Sequence, residues 1–147
     1  MKIAIGADHG GYELKENLRQ YLAEKGHQVT DFGAFGSQSC DYPLIAEKVS
    51  REVARGRFRY GVLVCTTGIG MSMAANKVKG IRAALCWNEK LAYYARGHNN
   101  ANIISLPGKF LGRKKAEEII DTWLHTRFFG GRHRRRVKQI MRLEKRF

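Results

Sequence analysis

Apolar and polar residues alternate in blocks along the chain, and this pattern predicts alternating strands and helices. Five short apolar runs predict buried strands, at residues 2–7, 28–32, 60–65, 81–86 and 102–106. The run at 60–65 (YGVLVC) is apolar throughout, which is typical of a parallel strand covered on both faces. Stretches with helical spacing of apolar residues follow these runs, at 12–22, 43–53, 71–78, 89–96, 114–126 and 132–147.

Five strand–helix alternations in a row predict a parallel sheet with helices on both faces, which is a doubly wound α/β fold. No linker rich in Pro or Ser and no internal repeat interrupts the pattern, so we expect one domain over residues 1–147. In such folds, ligands bind beyond the carboxyl ends of the strands. The residues after the first, third, fourth and fifth strands are therefore the candidates for function.

The composition, with 44% hydrophobic and 27% charged residues, is typical of a soluble globular protein. The chain has no apolar run of 18 residues and no signal-peptide pattern, which predicts a cytoplasmic protein without a membrane span. Three widely spaced cysteines, Cys40, Cys65 and Cys86, form no CxxC pair. We expect them to be reduced thiols.

The net charge of +14 is concentrated in residues 127–147, which hold nine of the 27 Lys and Arg residues and only one acid. This excess indicates an anionic partner, either a phosphate-bearing small molecule, a nucleic acid or an acidic surface, although a solvated helix face has the same composition. Arg132 and Arg136 are four residues apart and so share one side of a helix, where they could bind one phosphate. Arg134 and Arg135 would point elsewhere.

The strongest local signal is the segment CTTGIG at 65–70, where the third predicted strand ends and a helix begins. Its small residues allow a tight turn that directs successive backbone N–H groups at one point, and the helix dipole adds to this anion site. The segment lacks the GKS/T of a Walker A loop, and Met73 occupies the place of the third glycine in a dinucleotide fingerprint. Cys65 could be a base or nucleophile here, or simply a small buried residue.

Two further polar clusters follow predicted elements. Asp8 and His9 come after the first strand, where they could handle protons or bind a phosphate, or only cap a helix and form a loop. His98 and Asn99 precede the fifth strand, as a possible acid or base and a reader of hydroxyl groups, or as turn residues. The histidines are scattered without carboxylates at ligand spacing, so no metal site is predicted.

Six motifs occur in order along the chain: KIAIGADHGG at 2–11, DYP at 41–43, CTTGIGMSMAANK at 65–77, GIRAAL at 80–85, GHNNANI at 97–103 and GGRHRRRV at 130–137. Together they resemble the ribose-5-phosphate isomerase B family, whose superfamily includes galactose-6-phosphate isomerase subunits. The resemblance covers essentially the whole chain.

This resemblance implies a Rossmann-like three-layer α/β/α domain with a five-stranded parallel sheet and a C-terminal helical arm at about 130–147. It implies a homodimer or tetramer with active sites shared between subunits. The implied reaction is the interconversion of D-ribose 5-phosphate and D-ribulose 5-phosphate, with no metal and no organic cofactor. An isomerisation of this kind needs one base, a stabilised oxyanion and a phosphate anchor.

The resemblance also implies the role of each residue. Cys65 is the base that moves a proton between C1 and C2 through an enediolate, with Thr67 beside it. His98 assists opening of the furanose ring, and Asp8 lies close to the ring oxygens. His9, Arg132 and Arg136 bind the phosphate. The full implied substrate-binding set is Asp8, His9, Tyr42, Thr66, Thr67, Gly68, Ile69, Gly70, Asn99, Lys109, Arg132 and Arg136.

Three positions depart from the family pattern. Met71 stands where one branch of the family has a glutamate base, which favours the cysteine branch. Thr66 replaces a more usual glycine and reduces the room near the substrate. Lys109 replaces an arginine, which makes its phosphate contact less directional.

Two alternatives remain. A hexose 6-phosphate such as allose or galactose 6-phosphate could be the substrate, although the galactose branch tends to lack both the HN pair at 98–99 and the GGRH at 130–133. A catalytically idle nucleic-acid-binding module would use only the basic tail, and its binding would depend steeply on salt.

Overall fold

The computed structural model describes residues 1–147, and strands and helices alternate in the predicted order. The elements are β1 (Lys2–Ala7), α1 (Tyr12–Glu24), β2 (Gln28–Asp31), α2 (Tyr42–Ala54), β3 (Tyr60–Cys65), α3 (Ile69–Ala75), β4 (Ala83–Leu85), α4 (Glu89–Gly97), β5 (Ile103–Pro107), α5 (Arg113–His125) and α6 (Arg132–Leu143).

The five strands form one all-parallel sheet in the order β2-β1-β3-β5-β4. Helices α1, α4 and α5 pack on one face around Trp123, which is fully buried, and α2 and α3 pack on the other face around Val49 and Met71. The predicted three-layer α/β/α fold is confirmed. All six residues of β3, in the middle of the sheet, are buried, as its continuous apolar sequence predicts.

The predicted bounds of α3 and β4 were displaced because two asparagine side chains replace backbone partners there. Asn76 follows the last turn of α3, and its amide group bonds both the N–H and the carbonyl of Ala83. The side chain of Asn102 accepts a hydrogen bond from the N–H of Arg82 at 2.8 Å. The ladder of β4 therefore covers only three residues instead of the predicted 81–86.

The direction of each element decides which side chains can meet. Because all strands are parallel, their carboxyl ends lie at one edge of the sheet, and each following helix returns the chain to the other edge. Helix α4 begins after Asn88, whose side chain caps it, and ends at Gly97, shortly before β5 starts at Ile103. His98 therefore lies at the amino edge of the sheet. With six residues in β3, the two edges are about 17–20 Å apart.

The C-terminal arm packs against this amino edge of its own chain. The backbone N–H of Phe129 donates to the carbonyl of Gly97, and the carboxylate of Glu144 accepts from the N–H of Gly80 at 2.8 Å. Val137 is buried on the inner side of α6. Residues 132–143 are helical, so the helix is shorter than the predicted 132–147.

No helix combines the length and the apolar character that crossing a membrane requires. The cytoplasmic location stays a prediction.

Candidate active site

Cys65 ends β3, and its thiol lies under the turn that starts α3. Its sulfur accepts a hydrogen bond from the N–H of Gly68 at 3.1 Å, and only 5% of the residue is exposed. Gly68 has φ +75°, and a Cβ there would lie 2.5 Å from Leu85 Cδ1 and 3.0 Å from the carbonyl carbon of Leu106. Only glycine fits this turn. An N–H aimed at sulfur stabilises negative charge on it.

The turn is also held from below and covered from above. The buried hydroxyl of Ser105, on β5, donates to the carbonyl of Gly68 at 2.7 Å. Thr67 is exposed, and its hydroxyl accepts from the N–H of Ile69 at 3.3 Å. The ring of Tyr42 lies over Gly70, where an added Cβ would be 2.6 Å from Tyr42 Cζ. Tyr42 at the start of α2 thus closes one side of the first turn of α3.

The loop after β1 lies directly against the loop after β3. A Cβ at Gly10 would overlap the hydroxyl of Thr66, so the two loops are in contact. Asp8 is buried, and one of its carboxylate oxygens accepts from the N–H of Gly11 at 3.0 Å. His9 is exposed, and its Nδ1 lies 3.3 Å from the backbone N–H of Cys40, which donates to it.

Lys109, after β5, joins the same edge. Its backbone N–H donates to the carbonyl of Thr66 at 3.1 Å, and the N–H of Gly108 donates to the carbonyl of Cys65 at 2.7 Å. One open cleft of about 590 Å³ is lined by Gly10, Thr66, Gly108 and Lys109. The structure thus brings together nine of the predicted site residues at the carboxyl edge: Asp8, His9, Tyr42, Thr66, Thr67, Gly68, Ile69, Gly70 and Lys109, around Cys65.

Four predicted site residues lie elsewhere. His98 and Asn99 follow α4, and Arg132 and Arg136 lie on the first two turns of α6, all at the amino edge. The span of the sheet separates them from Cys65 in the same chain. One chain therefore presents two groups of predicted site residues, at opposite edges of one sheet.

The imidazole of His98 is enclosed by aromatic rings that the sequence interpretation did not single out. It stacks on the ring of His133 with 4.1 Å between centroids and an interplanar angle of 12°. The rings of Tyr94 and Phe129 lie 4.7 and 5.6 Å from it. The spacing of His133, Val137 and Met141 at four-residue intervals was the available signal, because it marks the inner side of α6.

His133 is buried, and desolvation lowers the pKa of its imidazole, as do the nearby charges of His98, Arg132 and Arg136. The ring of His133 therefore favours its neutral form.

Arg96 fixes the turn that carries His98 and Asn99. Its guanidinium is buried and donates to the carbonyl of Ala101 at 2.6 Å, to the side chain of Asn100 at 3.0 Å and to the hydroxyl of Tyr60 at 3.0 Å. Burial lowers the pKa of Arg96, and it has no carboxylate partner. The sequence pattern gave no sign of this residue because it lies in a helix otherwise predicted as amphipathic.

A parallel α/β sheet that presents a thiol, a turn of backbone N–H groups and polar side chains at its carboxyl edge defines an α/β enzyme. The model of the Ribose/Galactose Isomerase family matches residues 3–140. The chain belongs to this family and is an isomerase.

Individual relatives agree over the full length. The chain is 41% identical over 145 residues to ribose-5-phosphate isomerase B of Escherichia coli, covering 99% of this chain and 97% of the relative. The structure of ribose-5-phosphate isomerase B from Clostridium thermocellum superposes with a TM-score of 0.98 at 48% identity, with 99% of each chain covered. That of the Mycoplasma genitalium enzyme with bound ribulose-5-phosphate has a TM-score of 0.95 at 40% identity, with 99% and 97% covered. The predicted family resemblance is confirmed.

Proposed function

We propose that this protein interconverts D-ribose 5-phosphate and D-ribulose 5-phosphate, with Cys65 as the base. The observation that carries the proposal is the thiol at the end of β3, which receives the N–H of Gly68 at the mouth of the turn that starts α3. The names of its relatives, one of them with ribulose-5-phosphate bound, support the substrate. Met71 is fully buried and cannot take a proton, so no carboxylate at that position competes with the thiol.

The isomerisation then needs one proton to change carbon. The Cys65 thiolate removes the proton from C2 of the open-chain aldose, and the C1 carbonyl oxygen becomes the oxyanion of an enediolate. Backbone N–H groups of residues 66–70 stabilise that oxyanion, as preorganised donors do in acyl and enolate chemistry. The hydroxyl of Thr67 exchanges the remaining proton between O2 and O1. Cys65 returns its proton to C1, which gives the ketose.

Ring opening must come first because the aldose is mainly a furanose. We propose that His98 donates a proton to the ring oxygen while the bond from that oxygen to C1 breaks. Asp8, whose carboxylate is buried beside the loop of Thr66, accepts the proton that the C1 hydroxyl releases. Asn99 binds the sugar hydroxyls.

A second copy of the chain would supply His98 and Asn99, since these lie at the far edge of the sheet from Cys65. Exposed apolar side chains flank both groups: Tyr42, Ile69 and Met73 around α3, and Tyr94, Phe129 and Ile140 around the arm. Apolar exposure of this kind marks interaction surfaces. A two-fold pair would bring the carboxyl edge of one copy to the amino edge of the other, twice.

The phosphate would then bind between His9 and Lys109 of one copy and Arg132 and Arg136 of the other. The two arginines are one helical turn apart and exposed, and neither forms an ion pair within the chain. The remote phosphate contact holds C1 and C2 against the base.

The deciding experiment is exchange of the C2 proton with deuterium from solvent, with Cys65→Ala compared with Cys86→Ala. Burial raises the pKa of the Cys86 thiol to about 12, and this cysteine lies in the core on the other face of the sheet from Cys65. We expect Cys65→Ala to bind ribose 5-phosphate but to lose exchange, and Cys86→Ala to keep both. Exchange at the wild-type rate in Cys65→Ala would rule out the assigned base.

Substrate choice is tested in the same preparation. We expect the wild-type protein to turn over ribose 5-phosphate with a higher kcat/KM than allose 6-phosphate or galactose 6-phosphate. A preference for either hexose phosphate would replace the proposed substrate while leaving Cys65 as the base.

A further inference from the structure

The arrangement of His98 and His133 is the feature that the proposed reaction does not use. Their imidazoles are nearly parallel, at 12°, with centroids 4.1 Å apart. His133 comes from the arm and His98 from the end of α4, so this contact joins two elements that are distant in sequence. The backbone hydrogen bond from Phe129 to Gly97 joins the same two segments.

Neighbouring side chains hold the contact between His98 and His133 in place. The ring of Phe129 packs directly on Gly97, where an added Cβ would overlap it, and so it fixes the distance between the arm and α4. Tyr94 and Phe129 cover the other sides of the His98 ring. His98 is half-buried among these rings.

Charge sets a limit on this pair. Two imidazolium rings at this distance strongly repel each other, so a proton on one ring disfavours a proton on the other. The titratable and charged groups that face the pair are Tyr94 from α4 and Arg132 and Arg136 from α6. Neither imidazole forms an ion pair with a carboxylate. His133 is the more deeply buried of the two rings, and desolvation, His98 and the two arginines all lower the pKa of its imidazole.

We infer that His133 is a positioning residue for ring opening: its uncharged imidazole stacks on His98, fixes the orientation of that ring, and adds no charge that would oppose a proton on His98. The inference rests on the proposed function, in which His98 is the acid. His133 itself touches no reacting atom in this scheme. It acts as a flat and electrically neutral support, because burial favours its neutral form and the charges of His98, Arg132 and Arg136 add to that effect.

Three substitutions separate the two parts of this role. His133→Ala removes the support, His133→Phe keeps a flat neutral ring, and His133→Arg keeps a flat group but makes it permanently charged. Gln139→Ala, at an exposed position of the same helix, is the matched control. Each variant is checked for its melting temperature before kinetics.

We expect His133→Ala to lower kcat about ten- to a hundred-fold, because misorientation of a catalytic group has that scale of effect, with KM nearly unchanged. His133→Phe should recover most of that loss. His133→Arg should move the alkaline limb of the pH profile of kcat, where the acid His98 loses its proton, to lower pH by about one unit, because a like charge disfavours the protonated neighbour. Equal losses in Phe and Ala variants with a raised KM would show that His133 contacts the substrate and would overturn the inference. An unshifted profile in His133→Arg would overturn the claim about charge.

A measurement without turnover keeps this test separate from that of the proposed function. We expect an NMR titration of the wild-type imidazoles between about pH 5 and 8 to show His98 taking up the proton while His133 stays neutral. Protonation of His133 before His98 would overturn the inference even in an active enzyme. Absence of isomerase activity in the wild-type protein and in Gln139→Ala would instead reject the proposed function and leave the titration result standing.

Discussion

Cys65 and His98 lie at opposite edges of the same sheet: Cys65 is the last residue of β3, and His98 follows the last turn of α4, five residues before β5 begins. The proposed base and the proposed acid of one chain therefore cannot act on one sugar. If both residues are catalytic, each site combines Cys65 of one copy with His98 of another.

Mixing two inactive variants tests this arrangement directly. Cys65→Ala and His98→Ala should each be inactive alone, whereas an equimolar mixture, unfolded and refolded together, should regain about a quarter of the wild-type activity. Half of randomly formed pairs are mixed, and each mixed pair holds one intact site of two. A mixture that stays inactive would mean that the two residues do not serve one site across a two-fold interface.

The two arginines of the arm should differ from their neighbours on the same helix. We expect Arg136→Ala to lower kcat/KM for ribose 5-phosphate about ten- to a hundred-fold, which corresponds to the loss of a charge-assisted contact of about 1.5–3 kcal/mol. The same variant should barely change the poor turnover of unphosphorylated ribose. Arg135→Ala is the control, measured at fixed ionic strength because free charges are screened. Equal losses in the two variants would indicate a diffuse field instead of a specific phosphate contact.

Gly68→Ala should disturb both the site and the fold. The backbone conformation at φ +75° and the approach of Leu85 and Leu106 leave no room for a Cβ, and a strained non-glycine residue costs about 1–3 kcal/mol. The Gly68 N–H would also leave the Cys65 sulfur. Gly36→Ala, where no atom lies within 4 Å of the added Cβ, is the matched control in urea unfolding and in kcat. Wild-type stability in Gly68→Ala would show that the turn relaxes freely.

Stability at high pH should depend on the contact between α1 and α5. The hydroxyl of Tyr21 donates to the carboxylate of Asp121 at 2.5 Å, which raises the pKa of Tyr21 from 10.0 to about 12. Between pH 10.0 and about 12 the native state therefore keeps the proton of Tyr21, whereas the unfolded state has released it. The contribution of about 1 kcal/mol is present below pH 10.0 and is lost as pH rises towards about 12.

Urea unfolding between pH 9 and 11.5 measures that loss, with Tyr21→Phe as the comparison. We expect the wild-type advantage over Tyr21→Phe to shrink across this range. A constant difference would show that the hydrogen bond does not hold the proton.

How much of the molecule the sequence could predict differs between backbone and site. The central strand β3 was predictable because its residues are apolar on both faces, and the turn after Cys65 because small residues precede a helix. The ends of α3 and β4 were not, since the side chains of Asn76 and Asn102 took over backbone hydrogen bonds. The spacing of apolar residues gives no indication of a side chain that replaces a backbone hydrogen-bond partner.

The separation of His98 from Cys65 could partly be predicted from the sequence. In a parallel α/β sheet, any residue between a helix and the next strand lies at the amino edge, and the order of predicted elements already placed His98 there. What the sequence could not show is the fold of the arm. After Gly130 and Gly131 the arm packs back on its own chain through His133, Val137 and Glu144.

The three free thiols differ in their exposure to solvent, and this makes the protein suited to chemical labelling. Cys40 is half-exposed, Cys65 is 5% exposed, and Cys86 is 1% exposed with its pKa raised to about 12. An alkylating reagent at neutral pH should therefore mark Cys40 within the native ensemble and reach Cys86 only when the core opens. The rate at which mass spectrometry finds Cys86 modified would report global opening, and no fluorophore or added residue would be needed.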